Sequence, residues 1–374
     1  MAANYDVVIV GGGIAGLSLA SELAGECSVA LVEAEQELAY HSSSRSARQL
    51  IPSYGPQVVQ ELTVRTLELM MARDAGRASG QVLSPRGFML VGSAPDVAEK
   101  ASGHMEPISH ARALELCPVL RPEWFEAAGL DSGSFACNAP LLIEDHRQLA
   151  IAAGADIITG ARVHSAQPLG SGWQIGAGQE ALQAGVLVNA AGAWADELAV
   201  ISGVERVGLQ PYRRTAAIAD VDHPPAPAAP MVAAADDSFY FRPEDGGVLI
   251  SPAESEPSAA EDAQPRQADV ERVVARLEQA TTLGIRGIRR AWTGLRTSPA
   301  DGIPVVGFDA EARGFFWLAG QGGYGFQTSS GIAELAAGLI LGHDSGSAHR
   351  TAEQDIPESR TAQLLDPARF SIRG

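Results

Sequence analysis

Three closely spaced glycines near the N-terminus restrict the fold of this chain more than any other feature. They are Gly11, Gly13 and Gly16. An apolar, β-branched run over residues 5–10 precedes them, and residues 14–24 continue with helical spacing of leucine and alanine. A second apolar strand over residues 28–32 ends at Glu33, where a carboxylate can accept hydrogen bonds from ribose hydroxyls. This order of strand, glycine turn, helix, strand and acid predicts a unit that binds a dinucleotide, with the phosphates at the helix N-terminus.

The bulk composition narrows the class of protein further. The chain has 374 residues, enough for two domains, and its formal net charge of −18 argues against nucleic acid or anionic membranes as partners. Cys27, Cys117 and Cys137 match neither a zinc spacing nor a disulfide framework, so we expect a cytoplasmic protein. No apolar run reaches the ~18–20 residues that a membrane span needs. Residues 144–146 (EDH) are adjacent and would spread around a helix, so we expect no metal site.

Further along the chain, two kinds of sheet signal alternate. Short buried runs at residues 186–189 and 315–318 are typical of parallel strands, and glycine and then a helical pattern follow each of them. Alternating apolar and polar residues between 210 and 250, and again over 286–296, indicate antiparallel strands. Further helices are predicted over residues 61–72, 138–153, 269–283 and 329–341. Asp269 is the expected N-cap of the third of these. The alternation predicts an α/β protein with two domains, each discontinuous in sequence.

These patterns together resemble the D-amino acid oxidase/sarcosine oxidase superfamily of FAD-dependent enzymes, and within it the bacterial D-arginine dehydrogenase type. The likeness runs nearly from end to end. The motifs that carry it are residues 6–33, 40–55 (YHSSSRSARQLIPSYG), 187–196 (LVNAAGAWAD), 293–307 (TGLRTSPADGIPVVG) and 315–330 (FFWLAGQGGYGFQTSS). The resemblance implies a Rossmann-like FAD-binding domain of the glutathione-reductase-like, D-amino acid oxidase type, and a second, mixed-sheet α+β substrate domain. The expected boundaries are 1–80, 138–205 and 299–374 for the FAD-binding domain, and 81–137 and 206–298 for the substrate domain.

The resemblance also implies which residues hold the cofactor, noncovalently bound FAD. The residues expected at its adenosine and phosphate end are Gly11, Gly13, Ile14, Ala15, Gly16, Glu33, Ala34, Ala191 and Gly192. Those expected along the pyrophosphate and flavin are Arg45, Ser46, Ala47 and Gln49, and those expected to cradle the isoalloxazine with backbone N–H groups are Gly322, Gly323, Tyr324, Gly325 and Gln327. Some relatives tether flavin to a cysteine, and Gly294 stands at the matching position, which is why we expect no covalent bond.

Matching positions in the family surround the substrate above the flavin. They are Arg214, Arg296, Tyr54, Tyr240, Gln49 and Phe88. An arginine fork fits a carboxylate, and tyrosine hydroxyls add donors. Arg213 and Arg214 should point to opposite faces of a strand, and the family register selects Arg214. Phe88 replaces a glutamate that binds the substrate guanidinium in D-arginine dehydrogenases, so a neutral or apolar side chain is expected. Gln49 replaces a histidine near the substrate amine and cannot titrate.

The function implied is oxidative deamination of a D-amino acid to an imino acid and then a 2-oxo acid, by hydride transfer from Cα to flavin N5. Lys100, the only lysine, lies in a polar stretch away from the flavin motifs, which favours a dehydrogenase with an unknown electron acceptor over an oxidase. One alternative is a secondary-amine oxidase or dehydrogenase acting on N-methyl or cyclic amino acids, as in a biosynthetic tailoring step. Another is a flavin-binding subunit of a larger complex with little activity alone. A monomer or dimer is expected.

Overall fold

The structure, a computed structural model, describes residues 2–76, 80–101, 103–244, 246–344 and 360–370. Over these residues the chain forms twenty strands and nine α-helices. The strands are β1 (Ala3–Val10), β2 (Val29–Val32), β3 (Gln49–Leu50), β4 (Leu83–Pro85), β5 (Phe88–Gly92), β6 (Glu106–Ile108), β7 (Ala127–Asp131), β8 (Phe135–Cys137), β9 (Asp156–Ile158), β10 (Val163–Leu169), β11 (Gly172–Ala177), β12 (Glu180–Asn189), β13 (Gln210–Val221), β14 (Met231–Ala234), β15 (Tyr240–Glu244), β16 (Gly247–Ser251), β17 (Glu256–Pro257), β18 (Ile285–Ser298), β19 (Val305–Phe308) and β20 (Phe315–Ala319). The helices are α1 (Ile14–Leu23), α2 (Gln57–Asp74), α3 (Ala94–Lys100), α4 (His110–Leu116), α5 (Ala139–Ala152), α6 (Ala195–Ile201), α7 (Gln267–Ala280), α8 (Ser329–Asp344) and α9 (Arg360–Leu365).

The first sheet has eight strands and contains the N-terminal unit. β12, β1, β2 and β9 lie side by side and parallel, and β20 pairs in parallel with the end of β12. β10, β11 and β19 add antiparallel pairs at the periphery. Apolar clusters cover both faces, and α1 and α8 pack on one of them. A parallel sheet buried on both faces is typical of an α/β domain, which confirms the predicted fold class.

The second sheet has nine strands in the order β17-β13-β16-β15-β14-β5-β7-β6, and β18 pairs along the length of β13. Its pairs are antiparallel except for β14 with β5, so the sheet is mixed as expected. Successive residues of β5 face opposite sides: Met89 and Val91 join the apolar cluster beneath α7, whereas Phe88 and Leu90 join a separate cluster on the other side. This second side faces the cavity described below.

We infer that the two sheets mark the two domains expected from the sequence. The first sheet uses strands from residues 3–32, 156–189 and 305–319, and the second uses strands from 88–131 and 210–298. Residues 345–359 and 371–374 of the expected C-terminal segment lie outside the described residues. Within the described part of the chain, no helix is both long and apolar enough to cross a membrane.

Three local features differ from the sequence prediction. Asp269 is not an N-cap, because α7 begins at Gln267 and places it in the first turn, where its carboxylate pairs with Arg272 at 2.5 Å. A negative charge at that position offsets the positive end of the helix dipole. α2 begins at Gln57, ahead of the predicted residue 61. β3 and β8, which pair with each other and with β4 in a small sheet, were not predicted, because strands of two or three residues are too short to show a period.

Candidate active site

Three glycine-rich turns meet at one edge of the first sheet. β1, β12 and β20 are parallel, and the turns at residues 11–13, 190–192 and 320–325 follow their ends. Because the carboxyl ends of parallel strands lie on the same edge, the turns converge there. Three open cavities follow this edge, and each shares lining residues with the next. Together they form one elongated groove, and we number the cavities first, second and third starting from Glu33.

The first cavity encloses about 920 Å³ and lies at the end of β2. Its lining includes Gly11, Gly13, Glu33, Ala34, Ala191 and Gly192, all expected there from the sequence. The Glu33 carboxylate accepts hydrogen bonds from the backbone N–H groups of Gly12 (2.7 Å) and Glu35 (2.8 Å). These bonds orient the carboxylate and leave part of its roughly four acceptor positions for ribose hydroxyls. His41 also lines this cavity and its Nε2 lies 3.0 Å from Glu35, consistent with a structural or cofactor-adjacent residue.

The backbone at Gly11 tests whether this end of the groove fits a dinucleotide. Gly11 has a φ of +115°, and a Cβ built there would overlap the carbonyl group of Ala190. A Cβ at Gly16 would likewise overlap the Gly11 carbonyl, so strand, turn and helix lie as close as bare backbones permit. Ser43 Oγ accepts the N–H of Ile14 at 3.0 Å, so this first helical donor is occupied by the protein. Glycine backbone at this turn, next to a helix N-terminus, fits a pyrophosphate.

The second cavity also encloses about 920 Å³ and continues from Gly13 and Gly192. The predicted cofactor residues in its wall are Gly13, Ile14, Ala15, Arg45, Ser46, Ala47, Gly192, Gly294, Gly322, Gly323 and Gly325. Five separate sequence motifs therefore supply one wall. Gly294 has room for a side chain, since a Cβ there would lie 3.5 Å from that of Arg45, yet glycine offers no sulfur to bond to a flavin. The arrangement fits a flavin held without a covalent bond.

The glycine-rich turn after β20 differs from the prediction in its hydrogen bonds. The N–H of Gly322 donates to Thr297 O at 2.8 Å, and that of Tyr324 donates to Gln321 O at 2.7 Å. The Gly322 donor bonds to β18 and the Tyr324 donor to the turn itself, so in this structure neither faces the groove, and Gly323 and Gly325 are the glycines of the turn left for the isoalloxazine. The Tyr324 ring instead packs against Tyr54, with ring centroids 5.4 Å apart.

The side chains of two other predicted cofactor residues, Arg45 and Gln327, form hydrogen bonds to the protein itself. Arg45 donates from Nη1 to Thr293 O (2.9 Å) and pairs through Nη2 with Asp262 (2.5 Å). Its guanidinium therefore links the loop at 40–47 to the second sheet, and the expected contact with the pyrophosphate is not available to its charged end. Gln327 is buried and donates from Nε2 to Tyr54 O (3.2 Å) and Thr63 Oγ1 (3.0 Å), which fixes the loop that carries Tyr54.

The third cavity encloses about 840 Å³ and extends from Gly323 under the second sheet. All six residues expected around the substrate line it: Tyr54, Arg214, Arg296, Tyr240, Gln49 and Phe88. They come from β3 and the loop after it, from β5, and from β13, β15 and β18, and the pairing of the second sheet brings the last four strands together.

The two arginines of this cavity have polar contacts but no carboxylate partner among the described residues. Arg214 donates from Nε to Glu254 O at 2.7 Å, and Arg296 donates from Nη1 to Tyr54 Oη at 3.3 Å. The neighbouring Arg213 points away from the cavity, where it is buried and pairs with Glu261 at 3.2 Å. Arg213 and Arg214 therefore point to opposite faces of the strand, and Arg214, which the family register selected, is the one that lines the cavity.

The charges of the arginines alter the ionisation of the groups around them. Burial and the like charge of Arg296 lower the pKa of Arg214. Burial would raise the pKa of Tyr54, but the positive charges of Arg296 and Arg214 outweigh it, and the pKa falls below its ordinary value. For Tyr324, burial outweighs the effect of the same two arginines and raises its pKa to about 12. An anion entering the cavity would relieve the repulsion between the two guanidinium groups.

Gln49 and Phe88 form another part of the wall. The Gln49 side chain donates from Nε2 to Arg86 O at 2.8 Å, and its Oε1 is buried without a hydrogen-bond partner among the described residues. A buried acceptor of this kind usually meets a ligand or water donor. Phe88 is 6% exposed and pairs across the sheet with Asp131 and Met231. An apolar ring lies where the sequence comparison expects a glutamate in relatives that bind guanidinium.

Lys100 requires a correction. The sequence places it far from every flavin motif, but the C-terminal end of α3 brings it to the wall of the third cavity, where it forms an ion pair with Asp237. It does not line the second cavity. Sequence distance failed as a guide because α3 packs on β5 and β7 of the second sheet, beside the residues that line the cavity.

Several further wall residues escaped the sequence analysis. They are Leu90, Met105, Met231, Ala233, Asp237 and Ala253. The alternation of β5 could have indicated Leu90, two residues after Phe88, whereas Met105 and Asp237 lie in turns without a periodic pattern. Within the described residues, no group of three or more histidine, cysteine or acidic side chains could hold a metal ion.

A parallel sheet with a glycine-built groove at its carboxyl edge, continued by a charged cavity under a second sheet, defines a dinucleotide-dependent enzyme. The family model described as FAD dependent oxidoreductase, DAO, matches residues 6–339. The chain therefore belongs to the DAO family of FAD-dependent oxidoreductases, and the superfamily resemblance, the enzyme class and the cofactor expected from its motifs are confirmed.

Relatives and solved structures share this architecture over nearly the whole chain. A glycine oxidase of Geobacillus kaustophilus (strain HTA426) is 25% identical over 362 residues, which cover 91% of this chain and 94% of that protein. The L-proline dehydrogenase of P. horikoshii matches with a TM-score of 0.84 at 19% identity over 99% of both chains. The L-amino acid deaminase of Proteus vulgaris matches with a TM-score of 0.79 at 18% identity, over 91% of this chain and 94% of that chain. At these identities the two solved structures establish the shared fold.

Proposed function

We propose that this protein is a dehydrogenase that oxidises the Cα–N bond of a D-amino acid with a neutral or apolar side chain. The observation that carries the proposal is the pair of arginines in the third cavity. Arg214 and Arg296 are partly buried, positively charged, and without a carboxylate partner among the described residues. A charge in such a place is costly unless a ligand neutralises it. An amino acid carboxylate has the charge and the two-oxygen geometry that a guanidinium binds best.

The amine of the substrate would be held by a neutral acceptor. Gln49 Oε1 is buried and lacks a protein donor among the described residues, so it can accept an N–H from a deprotonated amine or from an ammonium group. With the carboxylate on the arginines, this acceptor restricts rotation about Cα. Fixing the reacting geometry in this way can lower a barrier by several kcal/mol, within the ~7–11 kcal/mol available from orientation. Tyr54 and Tyr240, which line the same cavity, complete the polar side of the site.

The remaining wall supports an apolar side chain. Phe88, Leu90, Met105 and Met231 are each less than 10% exposed and line the third cavity. Glycine has no side chain to contact these four residues, so the expected substrate extends beyond that of a glycine oxidase. Burial of the four carbons of a leucine-sized side chain would contribute roughly 1.5–3 kcal/mol to binding.

FAD, when bound, supplies the two-electron acceptor: the amino acid loses two electrons and two protons, and the resulting imino acid reacts with water to give a 2-oxo acid and ammonia. The residues expected to hold it are those lining the first and second cavities. The position of Lys100 supports a dehydrogenase, because the only lysine of the chain is paired with Asp237 in the third cavity and does not line the second.

Oxidation of a secondary amine is the second candidate, and the single acceptor Gln49 Oε1 favours it. One N–H is enough for that contact, and an N-methyl or cyclic amino acid still has one when deprotonated. The carboxylate would bind the same arginines, and the ring or methyl group would occupy the apolar wall. The two candidates therefore differ in the amine and in stereochemistry but share one cavity.

Anaerobic bleaching of the flavin separates these candidates without knowledge of the electron acceptor. The purified holoprotein is mixed with each D- and L-amino acid and with N-methyl and cyclic amino acids, and the flavin absorbance is followed. Rapid bleaching by apolar D-amino acids supports the proposal, and bleaching only by secondary amines supports the second candidate. If no amine bleaches a protein that retains FAD, both are wrong, and a subunit that needs a partner becomes the better description.

A further inference from the structure

The third cavity contains one ion pair that the proposed reaction does not use. Lys100, at the end of α3, pairs with Asp237, in the turn between β14 and β15, and both side chains line the cavity. The Lys100 side chain is 35% exposed and the Asp237 side chain 75% exposed, whereas Phe88 and Met231 in the same wall are each 6% exposed. The difference in exposure places the ion pair at the mouth of the cavity and the apolar residues in its interior.

Asp237 is distinctive because it is the only acidic side chain among the described residues that line this cavity. The other charged groups in the wall are cationic, namely Arg48, Lys100, Arg214 and Arg296. Arg48 is paired with Glu244 at 2.5 Å, outside the lining, and the two remaining arginines have no carboxylate partner in the described residues. Asp237 is therefore the one anionic group in the described wall of the cavity that could pair with a positively charged substrate side chain, and Lys100 already occupies it.

We propose that Lys100 determines charge specificity: by pairing with Asp237 at the cavity mouth, it excludes substrates whose side chain ends in a cation. The Lys100 ammonium lies at the position beside Asp237 where such a cation would bind. An incoming lysine-like side chain would have to displace Lys100 and would then meet its like charge nearby, whereas an uncharged side chain disturbs nothing. Specificity of this kind depends on a repulsive group as much as on an attractive one.

The free energy of the Lys100–Asp237 ion pair is small for stability but large enough to change substrate preference. An exposed ion pair contributes only about 0–1 kcal/mol, so the Lys100–Asp237 contact contributes little to the stability of the fold. Removing Lys100 would abolish the repulsion and expose the Asp237 carboxylate, two effects of similar size and the same direction. Together they are expected to change the preference between a cationic and a neutral ligand about tenfold.

The inference rests on the proposed carboxylate site, and the test is designed to separate the two. Hexanoate and 6-aminohexanoate both carry the carboxylate, and only the second carries an ammonium at lysine-like distance. Neither has an α-amino group, so neither is a substrate for Cα–N oxidation. Their dissociation constants are measured on the holoprotein by calorimetry and by the change in flavin absorbance. The ratio of the two constants reports charge preference independently of turnover.

In the wild type, hexanoate should bind more tightly than 6-aminohexanoate. Lys100→Met should shift the ratio about tenfold towards 6-aminohexanoate, while Lys100→Arg, which keeps the cation and the ion pair, should retain the wild-type ratio. Adding Asp237→Asn to Lys100→Met should remove most of the gain. An unchanged ratio in Lys100→Met, with hexanoate still bound, would overturn the role of Lys100 alone. Failure of the wild type to bind hexanoate would overturn the carboxylate site and this inference with it.

Discussion

The two ends of the groove are built in different ways. Glycine turns form part of the wall of the first and second cavities, and the turn and acid of the first lie within 23 consecutive residues, Gly11 to Glu33. The third cavity is formed by side chains that lie as far apart as Gln49 and Arg296. Closely packed glycine backbone tolerates little change, because an added Cβ would overlap neighbouring backbone atoms. A site built from side chains can be altered one residue at a time, which is how related enzymes on one fold acquire different substrates.

The largest effect is expected at the backbone end. Gly11→Ala adds a Cβ that overlaps the Ala190 carbonyl and forces alanine into a φ of +115°, which by itself costs of order 1–3 kcal/mol. The turn must shift, and we expect the variant to lose its FAD. The ratio of flavin to protein absorbance after gel filtration measures this directly.

Gly25→Ala is the matched control, because no atom lies within 4 Å of a Cβ at that position. It should retain FAD as the wild type does, and circular dichroism should show both variants folded. Full FAD content in Gly11→Ala would show that the groove is less tightly built than the backbone contacts indicate.

At the side-chain end, the largest effect is expected from Arg296→Ala. Loss of one charge-assisted interaction with the substrate carboxylate is worth about 1.5–3 kcal/mol, so kcat/KM should fall roughly 10- to 150-fold. FAD content should stay unchanged, because Arg296 lies where the second and third cavities meet and is not part of the glycine turns. Arg290→Ala, on the exposed part of the same strand, removes an equal charge outside the cavity and should leave the kinetics unaltered.

A smaller effect is expected at Gly323, where the glycine turn meets the side chains of the third cavity. A Cβ at Gly323 would lie 2.8 Å from the guanidinium carbon of Arg296, which has Tyr54 as its hydrogen-bond partner. Gly323→Ala should displace that guanidinium and raise KM for the substrate about tenfold, since a shift of 1 Å in a positioning group can cost up to ~100-fold. Gly287→Ala, on the same strand as Arg296 and with no atom within 4 Å of the added Cβ, is the matched control. Equal KM values for the two variants would show that Gly323 does not control the position of the Arg296 guanidinium.

The same contrast explains what the sequence could predict. Gly11, Gly16 and Glu33 could be interpreted from spacing alone, because turn geometry and close packing depend on local order. Arg214 and Phe88 could be placed only by resemblance, since no local rule says which strands of the second sheet become neighbours. Lys100 could not be placed at all: its position depends on how α3 packs against that sheet. Hydrogen bonds such as Gly322 N to Thr297 O depend on coordinates finer than any motif.

The smallest and most specific effect concerns pH. Arg296 and Arg214 lower the pKa of Tyr54 against the effect of burial, whereas burial raises that of Tyr324 to about 12, so Tyr54 ionises first as the pH rises. Its phenolate would pair with Arg296 and compete with a bound carboxylate. Affinity for hexanoate, which has no amine to titrate, should therefore be constant near neutral pH and weaken several-fold as the pH approaches 10. In Tyr54→Phe this alkaline loss should disappear. The same loss in Tyr54→Phe would assign it to another group and show that the arginines do not control Tyr54.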